Sequence, residues 1–79
     1  MIPLYGFLQG DSIGLLILAY PQDTVAELAE KLKNAASVRV KPRIGGLVVH
    51  GGQVLDPMRR LEKTQLQALD RFDVVWGDT

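Results

Sequence analysis

The chain has no cysteine, one histidine and one tryptophan, and its nine Lys/Arg are balanced by nine Asp/Glu. Without cysteine there is no disulfide, and a secreted domain of 79 residues commonly depends on such staples, so a reducing, cytoplasmic setting is expected. The same absence removes thiolate metal sites. One histidine and scattered carboxylates offer no ligand set at metal spacing, so neither metal nor cofactor is expected. Zero net charge removes the bulk electrostatic case for a nucleic-acid or membrane partner. No basic face carries interleaved stacking aromatics either. The apolar run at residues 13–20 falls far short of the roughly 20 residues needed to span a bilayer. Met1-Ile2-Pro3 shows neither a basic n-region nor a following apolar h-region, so no signal peptide is expected. With no repeat and no linker, residues 1–79 read as one domain near the lower limit for a self-sufficient core.

Catalytic chemistry is equally scarce. Ser12, Ser37 and Thr24 have no neighbouring base in the sequence, and no nucleophile–base arrangement can be assembled. Gly45-Gly46 and Gly51-Gly52 neither open a helix nor precede Gly-Lys-Ser/Thr, which excludes a phosphate-binding loop and leaves turns. His50, at a strand end beside Gly51, reads as an ordinary turn residue. The chain is therefore expected to be no enzyme, with no catalytic residue and no small-molecule substrate of its own.

What is present is a legible succession of elements. Ile2, Leu4 and Leu8 alternate with Pro3, Tyr5 and Phe7, then Gln9-Gly10-Asp11-Ser12 turns the chain into the apolar run 13–20. Thr24-Val25-Ala26-Glu27 is a capping box opening a helix. Val25, Leu28, Ala29, Leu32, Ala35 and Ala36 form its apolar stripe, and Glu27 and Lys31 lie four apart on the other side. The helix is expected to end near Ala36, before an extended stretch at 38–42. Leu47-Val48-Val49-His50, Gly51-Gly52 and Gln53-Val54-Leu55 read as a short hairpin. Residues 58–70 read as packed turns or a short helix, and Phe72 to Trp76 as the closing strand.

Hairpin, helix, short hairpin, irregular crossover and final strand is the ββαββ order of an α+β β-grasp. It implies a mixed four- to five-stranded sheet with one helix across one face. Over nearly its whole length the chain resembles ubiquitin and its relatives. The resemblance rests on the Gly10 hairpin, the Asp23-Thr24-Val25 helix start, the Leu47-to-Leu55 hairpin and the closing strand. Ubiquitin-like modifiers and sulfur carriers end in a reactive Gly-Gly, whereas this sequence ends Trp76-Gly77-Asp78-Thr79, so neither conjugation nor sulfur transfer is expected.

Residues 13–20 are apolar in both alternating sets, which is unusual where one helix can cover only one face. Placing Ile13, Leu15, Ile17, Leu47, Val49, Phe72 and Val74 toward the helix leaves Tyr5, Phe7, Leu16, Leu18, Val48 and Val75 on the opposite face. Such a cluster exposes on the order of 500 Å², enough for a docking surface. The competing reading is that the crossover folds over part of this face. Arg39, Lys41 and Arg43, on one side of an extended segment, read as a basic rim to the patch or as solvated surface.

Among bacterial ubiquitin-like proteins the chain resembles component B of toluene monooxygenases, from about Tyr5 to Trp76. The shared features are the apolar second strand, the helix, the basic Val38-Arg39-Val40-Lys41-Pro42-Arg43 followed by Gly45, and the closing Asp73-Val74-Val75. The tight Gly51-Gly52 turn and the short tail after Trp76 depart from that pattern. The resemblance implies a non-catalytic auxiliary subunit docked on the large oxygenase subunit of a diiron aromatic monooxygenase. The alternative is a stand-alone bacterial ubiquitin-like adaptor, such as a secretion-system accessory.

Overall fold

The computed structural model describes residues 1–41 and 43–77. Strands β1 (Ile2–Leu8) and β2 (Leu15–Ala19) form the first hairpin, followed by helix α1 (Val25–Ala36). A second hairpin, β3 (Leu47–His50) and β4 (Gln53–Val54), precedes a single 3₁₀ turn at Leu61–Lys63 and the closing β5 (Arg71–Val75). The sheet order is β2-β1-β5-β3-β4, with β1 and β5 parallel at the centre and every other pair antiparallel. The β-grasp expectation holds. No helix among the described residues is long and apolar enough to cross a membrane.

The helix starts where the sequence places it. Thr24 Oγ1 accepts from the Glu27 amide at 3.1 Å, and Glu27 Oε1 accepts from the Thr24 amide at 2.8 Å. The crossover supplies further caps: Arg59 O accepts from the Val25 amide and Pro57 O from the Ala26 amide, at 2.8 and 2.9 Å. All four amides that a helix start leaves unpaired, those of Thr24, Val25, Ala26 and Glu27, are thereby satisfied. The Glu27 and Lys31 pairing does not form. Glu27 is taken up by the cap, and Lys31 turns to Asp23 at 2.9 Å and to Leu18 O at 3.1 Å.

Leu4, Leu8, Ile17, Ala19, Val48, Phe72 and Val74 bury one sheet face against Val25, Leu28, Ala29, Leu32 and Ala36 of α1. Gly6, between Leu4 and Leu8, lets the Phe72 ring and Leu32 meet over bare backbone. A Cβ there would lie 2.7 Å from Phe72 Cζ. Leu61 and Leu66 close the helix end of this core, so the crossover packs as turns around the helix start.

Four expectations need correction. The second strand is shorter than the run 13–20, because Asp11 and Gly10 extend the turn and leave Ile13 exposed. Ala35 is exposed, outside the buried stripe. Residues 37–40 are turns, with the Arg39 and Val40 amides both donating to Ala36 O, so alternation does not align the basic residues; Pro42 lies outside the described residues. Finally, β3 is out of phase by one. Val48 pairs with Val74 and is 3% exposed, on the helix face, while Leu47 and Val49 point outward. Three consecutive apolar residues carry no period-two signal, so only pairing with β5 sets their phase.

Candidate docking face

The face away from the helix is built outward from β1. Tyr5 stands opposite Leu16 and Pro3 opposite Leu18 across the hairpin. Pro3 has no N–H and its carbonyl accepts from the Leu69 amide at 2.6 Å, while the Tyr5 amide donates to Asp70 O at 2.9 Å. Both residues therefore spend their backbone groups on the β5 side. Their partners Leu16 and Leu18 must turn theirs away from β1, toward the free edge of the sheet. Lys31 occupies one of those groups, Leu18 O, and lies 5.0 Å from the Tyr20 ring. The remainder of the edge is open, and Leu16 and Leu18 are each about half exposed (54% and 51%). The crossover leaves Tyr5, Leu16 and Leu18 uncovered, which disposes of the competing reading for these residues.

Phe7 is half-buried between two unlike surfaces. Its ring lies against Gly14, where a Cβ would approach to 2.4 Å, and the Arg71 guanidinium stacks 4.0 Å from its centroid. Arg71 Nε donates to Asp73 Oδ1 at 2.9 Å and its Nη2 to Asp73 Oδ2 at 3.1 Å. This ion pair divides the outer face. Tyr5, Phe7, Leu16 and Leu18 lie on one side, and Leu47, Val49 and Val54 on the other, with Val75 half-buried beside Leu47. The single patch expected from the sequence is thus two smaller ones. Arg71 and Asp73 were readable, since they alternate with Phe72 and Val74. Leu69 was not: it holds a left-handed φ of 70° to make its bond to Pro3, and it stands exposed at 60%.

The three basic residues are not brought together. Arg39 grips Asp11 in the β1–β2 turn through bonds of 2.8 to 3.2 Å, and the Asp11 side chain is nearly buried. Arg43 stacks 4.9 Å from the Trp76 ring, beside the core. Lys41 is exposed between them. The Arg39 guanidinium holds the Asp11 carboxyl below its usual value, and the Tyr20 amide followed by Lys31 does the same for Asp23. A carboxyl with a depressed folded pKa contributes stability above the unfolded value and loses it as pH falls. Urea midpoints are therefore expected to hold down to about pH 4 and to decline below it, with a shallower decline in Asp11→Asn. An equal acid response in that variant would remove Asp11 from the account.

Concavities are shallow. A groove of about 530 Å³ runs past His50, Gln53, Arg59 and Lys63, and a cleft of about 290 Å³ lies between α1 and the start of β3. His50 Nδ1 sits 2.9 Å from Arg71 O and Nε2 3.8 Å from Asp70, which pins the ring at the end of β3. Among the described residues no group of three His, Cys, Asp or Glu could hold a metal ion. The tail expectation falls partly on Asp78 and Thr79, which lie outside the described residues.

A five-stranded mixed sheet, one capped helix and an apolar outer cluster define a ubiquitin-like protein of the β-grasp class. The family model for toluene-4-monooxygenase system protein B (TmoB) matches residues 1–76, and the chain belongs to that family. A chain of the toluene 4-monooxygenase HD complex with the inhibitor 4-bromobenzoate superposes with a TM-score of 0.87 at 22% identity, covering 95% of this chain and 96% of that one. Ubiquitin from Caldiarchaeum subterraneum gives a TM-score of 0.74 at 15% identity, with 99% and 95% covered. No curated protein sequence matches the chain significantly.

Proposed function

We propose that the chain is a non-catalytic auxiliary subunit of a bacterial multicomponent diiron aromatic monooxygenase, docked on its large oxygenase subunit. Membership of the TmoB family over residues 1–76 is the observation that carries this reading. The likeness to a chain of the toluene 4-monooxygenase complex, nearly end to end on both sides, supports it. A cytoplasmic location goes with it. In this reading Tyr5, Phe7, Leu16 and Leu18 form the docking cluster, Val75 borders it, and Lys41 and Arg43 steer the approach. Val48 drops out because it is in the core. Arg39 serves first to hold the β1–β2 turn.

Leu16→Asp tests the face. The side chain stands at a half-exposed sheet edge, so the variant should keep its fold and thermal midpoint. A charge desolvated in the contact should weaken binding to the purified large oxygenase subunit by roughly tenfold or more. Unchanged affinity would move the docking surface elsewhere. If the wild-type chain forms no complex with that subunit, the subunit reading fails, and a stand-alone ubiquitin-like adaptor, favoured by the fit to a whole ubiquitin chain, replaces it.

A further inference from the structure

The sheet ends differently on its two sides. Strand β4 closes one side after only Gln53 and Val54. Strand β2 closes the other with Leu15–Ala19, all apolar. An edge of that kind is a template for pairing with another chain. The register with β1 turns the amides and carbonyls of Leu16 and Leu18 outward, and the Tyr20 amide follows in the same phase.

Two side chains meet this row of backbone groups. The Lys31 ammonium donates to Leu18 O at 3.1 Å, and the Asp23 carboxylate accepts from the Tyr20 amide at 2.9 Å. Lys31 and Asp23 are themselves joined at 2.9 Å. Together they supply a donor and an acceptor where an added strand would supply its own. Lys31 belongs to α1, where Glu27 is the partner that helical spacing offers. It leaves that partner for the sheet edge, with the Tyr20 ring 5.0 Å away. A partly exposed ion pair adds little to folding stability, so the reach is better explained by what it covers.

We infer that Lys31, held by Asp23, keeps the β2 edge from pairing with the β2 edge of a second copy of this chain. The register selects that occupant. Antiparallel pairing about a two-fold axis uses the same strand on both sides and needs no other complementary surface. Full overlap of β2 centres the axis on Ile17, setting Leu16 beside Leu18 of the second copy and Leu18 beside its Leu16. The outward backbone groups then meet as hydrogen-bonded pairs, and the Leu16 and Leu18 side chains continue one apolar face across the join. With zero net charge, the copies do not repel one another as a whole. This register requires Leu18 O to accept from the Leu16 amide of the second copy. Lys31 holds that oxygen, and by symmetry it does so on both sides of the join. The lock does not depend on which other partner the chain takes, and it leaves Leu16 and Leu18 free for one.

Sedimentation equilibrium of the full chain tests the lock, with thermal unfolding as the fold control. Wild type should stay monomeric up to about 1 mM, and Lys31→Met should self-associate at least ~10-fold more tightly. Lys31→Ala, favoured in a helix, should do the same and carries the test if the methionine variant folds poorly. In the variant dimer the Leu16 and Leu18 amides should gain a protection from hydrogen exchange that they lack in wild type. Adding Leu16→Pro should restore the monomer. The amide it removes faces outward, a position where an edge strand tolerates proline. Monomeric Lys31→Met and Lys31→Ala overturn the lock, as does a wild type that dimerises equally well. Dimers whose Leu16 and Leu18 amides stay unprotected, or that persist with Leu16→Pro, put the contact elsewhere and overturn it too.

Discussion

Phe72→Ala is expected to cost about 3–5 kcal/mol of folding stability, the range for deleting a buried aromatic. The ring is completely buried, and its Cζ lies over the backbone of Gly6 with Leu32 beside it. The wall on the strand side is glycine, which has no side chain to move into the space. A domain of this size holds on the order of 5–15 kcal/mol in total, so the variant should approach the unfolding threshold. Urea denaturation at neutral pH reads the effect directly, and the thermal midpoint should fall by well over ~10 °C. A loss below about 1.5 kcal/mol would mean that the core collapses around the void.

Gly6→Val is the complementary case, and its sign is the informative part. Valine is favoured in strands and glycine weakens them, so propensity alone makes this a stabilising change by up to about 1 kcal/mol. Packing argues the reverse. The first added carbon would lie 2.7 Å from Phe72 Cζ and 2.9 Å from Leu32 Cδ1, both on fully buried side chains that have nowhere to move. Overpacking of this kind costs about 1–3 kcal/mol, which outweighs the propensity gain. The two substitutions share one space and should not add. In a Phe72→Ala background the cost of Gly6→Val should shrink markedly, because the ring it collides with is gone. Equal costs in both backgrounds would place the strain elsewhere.

Much of the fold was legible because local signals agreed with one another. Thr24 and Glu27 marked the helix start, Val25, Leu28 and Leu32 its buried side, and the alternation of β1 its inner face. Uniform or overridden signals misled. Leu47, Val48 and Val49 are all apolar, so their phase came only from pairing with β5. The stretch after Ala36 has β-branched valines at 38 and 40, yet it turns, because Arg39 is drawn to Asp11 and two amides close on Ala36 O. The candidate site was half legible. Tyr5, Phe7, Leu16 and Leu18 stand together as alternation implies, whereas Val48 is drawn into the core by its pairing with Val74. The turn at residues 43–45, whose Arg43 and Gly45 carbonyls both accept from the Lys33 ammonium, could not be read at all. It depends on Lys33, which lies among ordinary helix residues and shows its purpose only when its ammonium is seen between two distant carbonyls.

The parallel pairing of β1 with β5 has a consequence for how the chain is born. Strand β1 must wait for β5, since the groove beside Pro3, Tyr5 and Phe7 is filled by residues 69–75. Until β5 has been made, the β1–β2 hairpin carries its apolar side chains with one flank unpaired. Closure pairs Tyr5 with Arg71 and Leu8 with Val74 across a long stretch of sequence, the kind of step that slows folding and exposes the nascent product to mispairing.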